Sequence, residues 1–255
     1  MKLFCAKGSA PPVAAAARLY GLLSGRQVEV DVCGQACVRG ECAKEAGIHG
    51  FVPEVAARDY DLAIAGAEAD MDDLEMAGKV AAGSRRSLGL RMATILVPAG
   101  NPAGITGLED LARPGVRIGI STIDCLRGVW EDICGRAGCI PQVRQNISVR
   151  VTGCMALISA IAQRRVDAAI GWSSFAHSHP RIEALELPND LRIFRATAAA
   201  VLEEARDPEG ATRFLDYLCS EPGRLIFVHH GWIFAEDQWR ATSQEERSCQ
   251  LHVVG

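Results

Sequence analysis

Aromatic side chains are scarce in this sequence, with three Tyr, four Trp and seven Phe making up 5% of 255 residues. The core must therefore be built from Ala, Val, Leu and Ile. Charge interrupts every apolar run well before the 18 or so residues that a membrane-spanning helix needs, so no helix inserts in a membrane. No basic stretch stands out, and 27 Lys and Arg against 31 Asp and Glu leave a net charge of −4. Nothing in that balance favours a nucleic acid partner. There is no internal repeat and no low-complexity linker. A Ser-His-Asp order, a phosphate-cradling Gly-rich loop and an HExxH pattern are all missing, which points away from an enzyme. Also missing is a secretory leader: Met1 is followed at once by the strand-like Lys2-Leu3-Phe4-Cys5-Ala6. The chain as written reads as cytoplasmic, the alternative being a periplasmic or extracellular protein whose leader is already gone.

What is present is ordinary globular composition, 49% hydrophobic and 23% charged, which excludes disordered and fibrous classes. At about 150 residues per domain the length allows one or two domains. Ten cysteines are too few for a disulfide scaffold and more than packing usually calls for. Surplus thiols in a chain long enough to bury its own core point to metal, cluster or redox chemistry, or to plain burial.

Strand and helix patterns alternate nearly throughout. Ser9 precedes Pro11-Pro12 and the helical run Val13–Leu23, with proline placed where a first helical turn tolerates it. Strands are expected at 27–32, 61–65, 88–97, 116–120, 148–151, 166–170 and 190–194. Helices are expected near 71–77, 107–112, 127–137, 155–163, 208–219 and 221–229. Such alternation predicts α/β architecture with mostly parallel sheets.

Six segments, taken in order, resemble the molybdate/tungstate solute-binding proteins of the type II periplasmic-binding fold. KGSAPPV (7–13) resembles the first ligand loop and VEVDVCGQA (28–36) the strand leading to the second. DLAIAGAEADMDDLEMAGKV (61–80) and ILVPAGNPAGITGLEDLARPGVRIGI (95–120) resemble the first-lobe strand–turn–helix and the crossover into the second lobe. ALISAIAQRRVDAAIGW (156–172) and FLDYLCSEPGRLIFVHHGW (214–232) resemble a core helix–strand pair and the closing helices. The resemblance implies two lobes, each a mostly parallel sheet flanked by helices and joined by two crossing strands. Lobe 1 would hold residues 1–90 and 195–255, and lobe 2 residues 91–194. It further implies a small inorganic ligand held in the cleft by helix N-termini and hydroxyl groups, hinge closure, delivery to a membrane ABC permease, and a monomer.

The departures from the family pattern fall at the ligand loops. Where Gly-Gly-Ser-Gly is expected the chain reads Cys33-Gly34-Gln35-Ala36, followed by Cys37 and Cys42. Cys5 precedes the Gly8-Ser9 turn, Cys125 ends Ser121-Thr122-Ile123-Asp124-Cys125, and Cys154 opens the helix after Thr152-Gly153. Mapped onto the implied fold, Cys33, Cys37, Cys42, Cys125 and Cys154 are candidate metal ligands, and soft sulfur donors select an iron–sulfur cluster or another thiophilic metal. The spacing Cys33-x3-Cys37-x4-Cys42 matches no common zinc or ferredoxin motif. Cys5 reads as a core residue, Cys134 and Cys139 as a local disulfide or incidental thiols, and Cys219 and Cys249 as lying outside the ligand loops. His177 and His179 read as solvated loop residues and His229-His230 as structural. The leading expectation is a solute-binding protein that holds its ligand through thiolates. The alternative is the ordinary oxyanion role, molybdate or tungstate bound by Ser9, Gln35, Ser121 and Thr122 with the thiols incidental. A third is a cluster-bearing redox protein on the same fold.

Overall fold

The computed structural model describes residues 1–32, 51–56, 58–122 and 124–234. From the N-terminus, β1 (Lys2–Cys5) leads through a 3-10 turn (Lys7–Ser9) into α1 (Ala10–Ser24). Then come β2 (Glu29–Val32), α2 (Phe51–Ala56), β3 (Leu62–Ile64), α3 (Glu68–Met76) and the long β4 (Arg86–Pro98). The middle of the chain runs α4 (Leu108–Leu111), β5 (Ile118–Ser121), a 3-10 turn (Asp124–Leu126), α5 (Val129–Arg136), α6 (Ile140–Asn146), β6 (Ile147–Val151) and α7 (Cys154–Ala162). β7 (Ala168–Trp172), α8 (Ser174–Ser178), β8 (Ile182–Leu185), β9 (Phe194–Val201), α9 (Pro208–Cys219) and α10 (Glu221–His229) complete it.

The strands lie in the order β2-β1-β3-β9-β4-β7-β5-β6, with β8 also paired to β4. Pairing is parallel at both ends, in β2-β1-β3 and in β7-β5-β6. It is antiparallel wherever β4 or β9 takes part. The expectation of mostly parallel sheets thus holds at the two ends and is corrected at the centre, where the crossing strands run against their neighbours. A second correction concerns 190–194. Asn189–Leu191 is a 3-10 turn closed by the Leu191 N–H donating to the Pro188 carbonyl at 3.0 Å, and the strand starts only at Phe194.

The buried residues form three clusters, one in the middle of the chain and two on opposite faces of the N-terminal strands. The middle cluster is built only from residues between Ala93 and Ile193, around Leu96, Ile118, Leu157, Ile170 and Trp172. The rest of the described chain packs on the two faces of β1, β3 and β9. Leu3, Cys5, Leu62, Ile64, Ala199 and Val201 point to one face, where α1 and α9 lie. Phe4, Ala63, Ala65, Ala198 and Ala200 point to the other. This is the period-two alternation of a strand buried on both sides. α1 covers its face through Val13, Ala16, Ala17 and Tyr20, one helical stripe. Its end is capped by Gly25, left-handed at φ 70°, whose N–H donates to Gly21 at 2.9 Å. Buried Asp61 ties the N-terminal strand to the approach of α9. Its carboxylate accepts the N–H groups of Lys2, Arg206 and Asp207 at 2.7, 2.8 and 2.9 Å.

One irregularity aims the functional side chains. The β4–β9 register shifts between Ser87 and Leu90, and Gly89 sits there at φ 91°. Leu90 exchanges backbone hydrogen bonds with Ile233, at 2.7 and 2.9 Å. A Cβ on residue 89 would come within 3.0 Å of the Ile233 carbonyl oxygen and of the Phe234 ring. Only glycine suits both the left-handed conformation and the close approach. Gly89→Ala is expected to destabilise the fold by about 1–3 kcal/mol, read as a lower urea midpoint at unchanged slope.

Candidate functional site

Where the middle cluster meets the N-terminal ones, β4 carries an arginine that is fully buried, Arg91. One of its terminal nitrogens, Nη2, donates to the Gly66 carbonyl just beyond β3. The other, Nη1, lies 3.7 Å from Cys125 Sγ in the turn after β5. The guanidinium carbon stands 4.8 Å from the centre of the Trp172 ring and 5.8 Å from that of Trp232, a cation–π arrangement. Arg91 makes no ion pair among the described residues, and its Nε is buried without a hydrogen-bond partner there. The Asp70 carboxylate is in the neighbourhood: Oδ2 and Arg91 Nη2 each lie 3.9 Å from where a Cβ on Gly66 would stand. A guanidinium taken out of water without a directly paired carboxylate is costly.

The elements around it are placed by glycine and by helix starts. Gly8 lies against Arg91: a Cβ there would come 3.1 Å from Nη1 and 3.9 Å from Cys154 Sγ. Ser9, at the entrance to α1, is fully buried and its Oγ has no partner among the described residues. The N-terminus of α7 packs on the Lys7–Ser9 turn from the middle cluster. Its first residue is Cys154, and Gly153 caps it at φ 92°. Ser121, 2% exposed at the end of β5, accepts the Gly153 N–H at 3.3 Å. The start of α7, with its unpaired N–H groups and positive dipole end, thus lies near one buried cation. α1 opens differently: the Ala10 N–H is taken by the Lys7 carbonyl, and Pro11 and Pro12 have no N–H to offer.

The sequence candidates divide three ways. Ser9, Ser121, Cys125 and Cys154 are brought together at this junction. Thr122 is not: it is exposed, and both its N–H and its hydroxyl donate to Val151 O, at 3.0 and 3.3 Å. Gln35, Cys33, Cys37 and Cys42 lie outside the described residues. The sulfurs of Cys125 and Cys154 are 3.7 Å apart, and Trp172 Nε1–H donates to Cys125 Sγ at 3.2 Å. Among the described residues no group of three His, Cys, Asp or Glu is placed to hold a metal ion. Among the described residues two thiols meet there; the other three candidate ligands, Cys33, Cys37 and Cys42, lie outside them. Cys5 is a core residue as expected. Cys134, Cys139 and Cys219 are free thiols, which corrects the local disulfide considered for Cys134 and Cys139. His177 lies off the junction against Gly231, and Nδ1 is 3.3 Å from the Ser173 carbonyl oxygen.

Arg91 was missed in the sequence. Its signal was there, as the one charge in the otherwise apolar strand run Leu88–Val97.

The junction acts on its own thiols. A hydrogen bond from Cys154 is the largest influence on Cys125 and holds it well below the usual thiol range. Burial opposes this, and the Arg91 charge and the Trp172 N–H add to it. Burial pushes Cys134 the other way, up to about 12, helped by the neighbouring Cys139. A thiol lowered on folding adds stability above its unfolded value, and that contribution is lost as pH falls through the folded value. Cys125→Ser is therefore expected to flatten the acid side of the stability profile, followed as urea midpoint against pH. An unchanged profile would show that Cys125 is not charged in the fold.

The sequence model of the family described as bacterial extracellular solute-binding protein matches residues 1–233. Among solved structures, Campylobacter jejuni PEB3 resembles the chain. In its complex with L-phospholactate it is 26% identical, with a TM-score of 0.77 over 92% of this chain and 100% of that one. The periplasmic molybdate-binding protein of Azotobacter vinelandii shares the fold at 15% identity, with a TM-score of 0.75 over 92% and 100%. So does the sulfate-binding protein SubI of Mycobacterium tuberculosis, at 17% and 0.73 over 94% and 88%. No protein of curated function matches the sequence significantly.

Proposed function

The chain belongs to the bacterial extracellular solute-binding proteins, and from that premise we propose that it captures a small anion bearing a tetrahedral oxyanion group in the junction between the middle cluster and the N-terminal ones. The observation that carries this is Arg91, a buried cation that makes no ion pair among the described residues, set beside the buried Ser9 hydroxyl, which has no hydrogen-bond partner there. Ligand oxygens would accept from the Arg91 fork, from Ser9 Oγ and from the N–H groups opening α7. Trp172 and Trp232 wall the guanidinium and keep water from it. The lobes in this reading are residues 1–90 with 195–255, and 91–194, which agrees with the division of the clusters and makes β4 and β9 the crossing strands. Ser121 supports the α7 start, while Thr122, turned to Val151, has no part.

The molybdate-binding and sulfate-binding proteins that share the fold support an oxyanion over an iron–sulfur cluster. The phospholactate complex of the more similar PEB3 supports an organic phosphate. A phosphoryl group carries about −1.5 to −2 charges near neutral pH, which suits a site with one built-in cation. The role is binding and delivery to a membrane permease rather than catalysis. The extracellular family favours export over the cytoplasmic reading. No helix among the described residues is long and apolar enough to cross a membrane.

Titration calorimetry with molybdate, tungstate, sulfate, inorganic phosphate and L-phospholactate tests the reading. At least one of them should bind with a Kd in the micromolar range or below. Arg91→Met should weaken that binding by about tenfold to a hundredfold, the worth of a charged hydrogen-bonding group. It should also leave the ligand-free fold at least as stable, because a buried cation is replaced by an apolar side chain of similar length. Ser9→Ala should weaken binding by about fivefold. Failure of every anion, or equal affinity in Arg91→Met, would refute the assignment.

A further inference from the structure

Oxyanion binding leaves two thiols of the junction unexplained. Cys125 and Cys154 are 29 residues apart in the chain and come from different elements, the turn after β5 and the first turn of α7. Both are buried, and their sulfurs, at 3.7 Å, need to close by less than about 2 Å to reach bonding distance. Chance packing of two thiols does not require that they share a hydrogen bond beside the buried arginine of the junction. We propose that Cys125 and Cys154 form a reversible disulfide, and that its formation raises the anion affinity of the site by removing the sulfur that Arg91 otherwise faces. The inference rests on the oxyanion reading of the same junction.

The exchange needs only a small-molecule disulfide as oxidant, of the kind an extracellular compartment supplies. Cys125 attacks one sulfur of the oxidant, breaking its S–S bond and expelling one reduced thiol. Cys154 gives up its proton and attacks Cys125 Sγ in the mixed disulfide, expelling the second. Two protein thiols have then lost two protons and two electrons, and the oxidant has become two thiols. Cys125 is the natural attacking group, since its neighbours favour the deprotonated form. In the reduced protein that electron-rich sulfur lies 3.7 Å from Arg91 Nη1 and competes with a ligand for the cation. A disulfide sulfur carries no charge, so the oxidised protein leaves the guanidinium to the ligand.

The test treats the full chain with glutathione disulfide, blocks the remaining thiols by alkylation and maps peptides by mass spectrometry. Anion titrations with L-phospholactate and with molybdate follow on the oxidised and the reduced protein. The expected result is a Cys125–Cys154 cross-linked peptide, reversed by dithiothreitol, with at least about tenfold tighter anion binding in the oxidised state. The reduced single variants should differ from each other. Cys125→Ser should bind like the oxidised protein, and Cys154→Ser, which keeps the competing sulfur, like the reduced one. A disulfide acting only as a structural brace would move both variants alike and overturn the switch. Absence of the cross-link at every glutathione ratio overturns the proposal outright, and a cross-link with equal affinities overturns its functional half. If no anion binds in either state, the oxyanion reading fails and the affinity switch with it, while the peptide map still decides the disulfide. The wild-type comparison is sufficient should a variant fail to fold.

Discussion

A buried positive charge that no carboxylate pairs with among the described residues is the constraint around which this protein is arranged. A buried guanidinium is tolerated only where its surroundings replace water on every side. Here the Gly66 carbonyl takes one terminal nitrogen, two indole rings flank the planar group, and a polarisable sulfur faces the other terminal nitrogen. Each of these neighbours is electron-rich, and only the Cys125 sulfur carries charge, when it is deprotonated. The arrangement keeps the cation in place without pairing it to a carboxylate among the described residues, which in the proposed role is what leaves it open to an anion.

The surrounding residues follow from the same requirement. Glycine at position 8 lets the backbone approach the arginine, since a Cβ there would stand 3.1 Å from Nη1. The start of α7 brings amide groups toward the same point, so partial positive charge is added without further side chains. The charge on Arg91 adds strength, and it also makes the site sensitive to any competing negative group nearby, of which Cys125 is the one at hand.

Much of the architecture was legible in the sequence because local signals and tertiary demands agreed. The Ser9-Ala10-Pro11-Pro12 start, the Gly25 stop and the strand–helix alternation each have a local cause. The Gly100-Asn101-Pro102 turn is another: Asn101 is left-handed at φ 42° and its side chain bonds both backbone groups of Ile105, at 2.7 and 3.0 Å. The antiparallel centre of the sheet was not legible, since strand direction depends on which partners β4 and β9 find far along the chain. For the site, placing Ser9, Ser121, Cys125 and Cys154 at one junction depended on the family resemblance, as their separations in sequence carry no such message. Arg91 escaped because a single charge in an apolar run reads as an interruption. Its direction is set by the bulge at Gly89, which no count of alternating residues contains.

The position of Arg91 within β4 has a kinetic consequence. Up to Met92 this strand pairs with β9, and from Ala93 onward with β7 and β8. The arginine therefore sits next to the point where the strand passes from one half of the molecule to the other, on the pivot rather than on either jaw. In the proposed role, capture and retention fall to different residues. An anchor on the pivot meets an incoming anion at the same place whether the halves stand apart or together, and so governs the association rate through its charge. In that role the Ser9 hydroxyl and the α7 amides would converge only as the halves come together, and they would set how long the anion stays.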